Sequence, residues 1–157
     1  MSEDSTTVLR GAYAGLPILT EDNFADWDMQ IIAYLTGSQD HARVITPTKQ
    51  SDGTYLDPTR PTDADPKASA DDIKKAEDNI ASWDKSERIV LGCMMATAGK
   101  LHRETVLKAR AAGTTMYALY ARICAFHQQR DASQRHEAWM QFLSMRKSAA
   151  ESYMSYY

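Results

Sequence analysis

Apolar residues at steps of three and four dominate the stretch from Leu16 to Leu35, where Phe24, Trp27, Ile31, Tyr34 and Leu35 fall on one side of a helix. That spacing is a packing stripe. It obliges the chain to bury one helical face against other elements, and it carries no reactive group. The expected helix runs from Asp22 to Leu35 and stops at Gly37. Thr20 or Asp22 is suited to cap it, and Asp22, Asp26 and Asp28 place negative charge at the positive end of its dipole.

The same period recurs along the chain. Residues 1–15, small and polar with Gly11 and Gly15, read as a flexible lead. Residues 46–66 hold four prolines, a glycine and few apolar side chains, and so read as a long exposed loop, with Thr54, Tyr55 and Leu56 as a candidate short strand or anchor. From Ala68, Ile73, Ala76, Ile80 and Trp83 make a stripe that resumes at Val90, Leu91, Met94 and Met95, with a break expected near Gly92. A helix over Leu101 to Ala112 should end at Gly113, after which Thr114 or Thr115 caps a helix bearing Met116, Leu119, Tyr120, Ile123 and Phe126. A separate helix over Asp131 to Met145 is expected to bury Trp139, Phe142, Leu143 and Met145, and the capping box Ser148-Ala-Ala-Glu151 to open a last one. That last pattern ends at Tyr157, and the expectation is of a C-terminally truncated chain. With no sustained Val/Ile/Thr alternation, the fold class is all-α: a single compact bundle-like or orthogonal domain of about five to six helices over residues 16–157.

The pattern needs a core, and 157 residues at 43% hydrophobic can provide one. Phe24, Trp27, Trp83, Tyr120, Trp139 and Phe142 are expected to converge in it. Cys93 and Cys124 sit inside apolar helical patterns and read as small core residues of a reducing compartment. Without a signal sequence or a long apolar run, the expectation is a cytoplasmic protein with no membrane partner.

Reactive motifs are missing from the sequence. It has no glycine-rich phosphate loop, no nucleophile elbow and no zinc-protease signature, and His41, His102, His127 and His136 are scattered, with His127 and His136 read as a polar surface pair across a turn. The expectation is therefore no enzyme, no catalytic residues, no metal, no cofactor and no small-molecule substrate. Charge is uneven instead. Residues 1–99 carry 9 Lys and Arg against 17 Asp and Glu, a net of −8, whereas residues 100–157 carry 9 against 4, a net of +5. Opposite poles favour contacts between copies, and the basic pole also suits RNA phosphates. Arg103, Lys108, Arg110, Arg122, Arg130 and Arg135 are the candidate RNA or assembly contacts.

Taken in order, the packing residues resemble the Gag polyprotein of copia-type LTR retrotransposons. Leu19, Asn23, Phe24 and Trp27 match its opening; Trp83 and Asp84 followed by Ile89 to Leu91 match its central helix; Thr115, Tyr120 and Ile123 match a later helix; Phe142, Leu143, Met145 and Arg146 match its basic helix. Tyr120 replaces the usual Trp and Ile123 the usual Leu, and the loop 46–66 is long. The resemblance spans about residues 16–157 and implies a capsid N-terminal-domain-like fold. It also implies self-association into virus-like particles enclosing element RNA, with RNA held mainly by a downstream region. The alternatives are a retrotransposon-derived helical adaptor with a protein partner, or an RNA-binding helical module.

Overall fold

The computed structural model describes residues 13–37 and 39–154, with side chains described as far as residue 140 except at 138. It is mostly helical. The described elements are α1 (Phe24–Thr36), a 3₁₀ turn (His41–Val44), a two-stranded antiparallel hairpin of β1 (Thr48–Lys49) and β2 (Tyr55–Leu56), α2 (Ala70–Thr97), α3 (Gly99–Ala111) and α4 (Met116–Met154). The chain divides into two units, Met1–Ala121 and Arg122–Tyr157.

In the first unit Tyr34, placed on the stripe, is 39% exposed and Phe24 is half-buried, whereas Trp27, Ile31 and Leu35 of α1 are fully buried. They share the core with Ala42, Val44 and Ile45 around the 3₁₀ turn, Val90, Cys93 and Met94 of α2, Val106 of α3, and Met116 and Leu119 of α4. The N-cap of α1 is Asn23, in place of Thr20 or Asp22, and its side chain makes no capping bond. It turns back instead: Asn23 Oδ1 accepts from Thr20 N at 2.8 Å and Nδ2 donates to Ile18 O at 2.8 Å, which fixes the chain leading into the helix.

Helix α2 starts at a Ser-x-x-Asp cap, with Ser69 Oγ accepting from Asp72 N at 3.2 Å and donating to Asp72 Oδ2 at 2.6 Å. It runs unbroken through Gly92. The glycine there makes room for a neighbour: a Cβ would lie 2.4 Å from Tyr13 Oη. Tyr13, expected in a flexible lead, is half-buried, and its ring meets Tyr34 edge-on at 5.9 Å. Burial, with smaller contributions from Cys93 and Tyr34, raises its hydroxyl pKa.

Helix α3 ends as the sequence reads. Gly113 takes φ +64°, its N–H reaches Arg110 O at 3.3 Å and Thr114 N reaches Ala109 O at 3.0 Å, a Schellman pair that satisfies the last carbonyls. Thr115 Oγ1 then caps α4 by accepting from Ala118 N at 3.3 Å.

Of the two readings of residues 54–56, the loop takes the short strand and not the anchor. It holds the small hairpin, turned at Gly53 (φ +86°), yet Tyr55 and Leu56 are 66% and 58% exposed and anchor nothing. Polar ties hold it instead. Arg60 grips Asp84 on α2 through Nε–Oδ1 at 2.8 Å and Nη2–Oδ2 at 2.9 Å, and Tyr117 Oη on α4 donates to Asp57 Oδ1 at 2.8 Å.

The three helices expected after Thr115 are one. Helix α4 continues through residues 127–136 and through the Ser148–Glu151 capping box, so the described residues hold four α-helices where the spacing divides them into five or six. The break expected between Phe126 and Asp131 is filled by His-Gln-Gln-Arg, with no glycine or proline to stop a helix. In the second unit Ile123 and His127 are buried, with the Phe126 ring edge-on to His127 at 5.3 Å. His127 is therefore no surface partner of the exposed His136. Trp139, expected in the core, is 58% exposed, and the side chains of Phe142, Leu143 and Met145 lie outside the described residues.

Candidate interaction surfaces

Leu19 ties the segment that enters α1 to the α2–α3 corner. Helices leave their last carbonyls without partners, and here Thr97 O at the end of α2 accepts from Leu19 N at 2.7 Å. The Leu19 side chain is 2% exposed. Just beyond, Gly99 adopts φ +60°, and a Cβ on it would stand 2.3 Å from Leu19 O. Asn23 pins the same segment, and Phe24 stacks on Trp27 with ring centroids 6.2 Å apart. Leu19 and Asn23 thus form one clasp, built from backbone closure and an amide bracket, followed directly by the Phe24–Trp27 ring pair.

The other motif residues take different parts. Tyr120 on α4 donates its hydroxyl to Asp28 on α1, which gives the tyrosine at this position a polar role that an indole ring would fill differently. Trp83 is half-buried, and its indole N–H has no hydrogen-bond partner among the described residues; the same holds for the fully buried Trp27. Ile123 is buried in the second unit, and Phe142 and Met145 have no described side chain.

Of the candidate cations, Arg103, Lys108 and Arg110 are exposed on α3. Lys108 pairs with Glu104 at 2.7 Å, which holds the Glu104 carboxyl below its usual pKa. Arg122 and Arg135 are exposed and Arg130 half-buried in the second unit, so the six fall on two units.

Two hollows flank α2. One, of about 570 Å³, lies between Asp84, Glu87 and Arg88 of α2, Arg110 at the end of α3, and Gly113 to Met116 where α4 begins. The Arg60 guanidinium at Asp84 keeps that carboxyl below its ordinary pKa, first through the hydrogen bond and then through charge. The second, of about 490 Å³, lies among Gln39, His41, Ser82, Lys85 and Ser86. There His41 Nδ1 stands 3.1 Å from Ser86 Oγ, which donates to Ser82 O at 3.0 Å. With the hydroxyl proton committed to that carbonyl, His41 Nδ1–H is the donor, and Ser86, 2% exposed, is held as an acceptor. The pair, with Arg43 Nη2 to Ser82 Oγ at 2.8 Å and Lys85 Nζ to Gln39 Oε1 at 3.2 Å, ties the 3₁₀ turn to α2. Sequence reasoning missed this cluster because its members lie about 45 positions apart with no motif joining them.

Among the described residues no group of three or more His, Cys, Asp or Glu is placed to hold a metal ion, and no helix is long and apolar enough to cross a membrane. Cys93 is buried, which pushes its thiol pKa up to about 12, and neither it nor Cys124 is in a disulfide. Comparison with protein-family models, with curated proteins and with solved structures returned no match.

Proposed function

We propose that this chain is a structural, self-associating helical protein of the Gag type, with a capsid N-terminal-domain-like fold, whose copies build cytoplasmic particles around element RNA. The observation that carries the reading is the clasp of Leu19 and Asn23 with the Phe24–Trp27 ring pair that follows it. Leu19 and Asn23 of the opening motif hold the segment entering α1 against the α2–α3 corner, and Phe24 and Trp27 pair their rings in the helix that follows, so the motif residues are packing residues of one short stretch. Charge adds support. The acidic run around α1 and the basic α3 present opposite signs on exposed surface, which suits weak contacts repeated between copies. In this reading the chain performs no catalysis and takes no cofactor.

The 570 Å³ hollow favours a second reading, a helical adaptor that receives one protein partner between α2 and the start of α4. Multi-angle light scattering over a rising concentration series, with negative-stain microscopy in the presence and absence of RNA, separates the two. Mass that climbs with concentration, and particles that gain from RNA, are expected for the Gag-type protein. A strictly monomeric chain under both conditions defeats that reading and promotes the adaptor.

A further inference from the structure

We propose that the outward ridge of α1 docks on the outward ridge of α3 of a second copy of this chain. The inference rests on the self-association reading above and names the surface that carries it. Both helices are 13 residues long, and each buries one face: Trp27, Ile31 and Leu35 on α1, and His102, Val106 and Ala109 on α3. The exposed rows follow from helical geometry, opposite the buried face on α1 and about 100° round from it on α3. On α1, Asp26, Met29 and Ala33 succeed one another at steps of three and four, all exposed, with Met29 65% exposed at the centre. On α3, Arg103, Leu107 and Arg110 do the same, with Leu107 47% exposed.

Each ridge thus sets an exposed apolar side chain beside a charge, Met29 beside Asp26 and Leu107 beside Arg103, and the signs are opposite. Glu21, Asp22, Asp26 and Asp28 surround the start of α1, and no Lys or Arg occurs from residue 11 to residue 42. Asp28 is turned to Tyr120, and Asp26, which accepts from Gln30 Nε2 of the same helix at 3.0 Å, is the carboxylate on the ridge itself. On α3, Lys100, Arg103, Lys108 and Arg110 face a single acid, Glu104, whose charge Lys108 already engages. A methionine adapts its shape to a facing leucine, and the charges around them set register and exclude like against like. The two faces differ, so the contact is heterologous. Each copy keeps one half open for another copy, and the association closes into rings or continues instead of ending at a pair.

Sedimentation velocity of the whole chain over a concentration series tests this with Asp26→Lys, Arg103→Glu and the two combined. Each single change should weaken association by about tenfold or more, and the combined exchange should recover most of it, because the charges again oppose. Met29→Ser and Leu107→Ser should weaken it as well, and thermal melts by circular dichroism establish that all variants fold. If the parent associates and the single variants match it, the α1–α3 contact is wrong while self-association stands. If Arg103→Glu matters only when RNA is added and Asp26→Lys never does, the α3 ridge holds RNA and the contact is overturned. A parent that stays monomeric at millimolar concentration overturns the self-association reading, and this contact with it.

Discussion

Leu19 and Gly99 are matched to each other: the Leu19 carbonyl oxygen occupies the space that any Cβ at residue 99 would need, 2.3 Å away, while the Leu19 N–H closes the end of α2 at Thr97. The glycine is required twice, once for space and once for its φ of +60°. Gly99→Ala should therefore destabilise by about 2–4 kcal/mol, from left-handed backbone cost plus a backbone clash that cannot rotate away. Gly92→Ala offers the contrast. Its Cβ meets only the tip of the Tyr13 side chain, which can swing out, and alanine favours helix by about 1 kcal/mol over glycine. Thermal melts of the two variants should differ by many degrees, with Gly92→Ala close to the parent.

The three tryptophans should separate by burial. Trp27→Ala, at a site with 0% exposure, should cost about 3–5 kcal/mol, as aromatic truncations in cores do. Trp139→Ala, 58% exposed, should stay within about 0.5 kcal/mol of the parent, and Trp83→Ala should fall between. Denaturant titrations read all three, and a Trp139→Ala loss as large as that of Trp27→Ala would contradict the ranking.

The Arg60–Asp84 clamp gives the loop a pH dependence. Asp84 has its pKa depressed in the folded chain, so the stabilisation is complete above the ordinary carboxylate pKa of about 4 and fades as pH falls through the lower folded value. The side-chain N–H resonance of Arg60 should lose its hydrogen-bonded shift over that acid range. Arg60→Ala should speed proteolysis between residues 46 and 66 at neutral pH, and a first internal cut within α2 instead would show that the loop is not the weak segment.

Thiol chemistry should follow burial. Cys93, with its pKa near 12, has almost no thiolate at pH 8, and the thiolate is the reacting form. A disulfide-exchange reagent should therefore label the half-buried Cys124 first, and Cys93 only when denaturant unfolds the chain.

The α1 stripe, the Gly113 stop, the Thr115 cap and the helical class were legible in the sequence, because periodicity and capping are local properties of consecutive residues. The boundaries within α4 were not. A change in which face is apolar looks like a turn between helices when only the pattern is seen, yet nothing between Gln128 and Arg135 interrupts hydrogen bonding, and the helix continues. Gly92 misled for a related reason, since its role is decided by Tyr13, a residue 79 positions earlier.

The candidate surface divides in the same way. Sequence alone marked Arg103, Lys108 and Arg110 as cations and Leu19, Asn23 and Trp27 as an ordered motif. Only the tertiary structure turned Met29 and Leu107 outward, brought Arg60 to Asp84, joined Tyr120 to Asp28 and set Leu19 against Gly99. The physical reason is range. Helix formation is settled over a few residues by backbone geometry and side-chain period, whereas the outer face of each helix is whatever remains after distant segments have packed against the inner one.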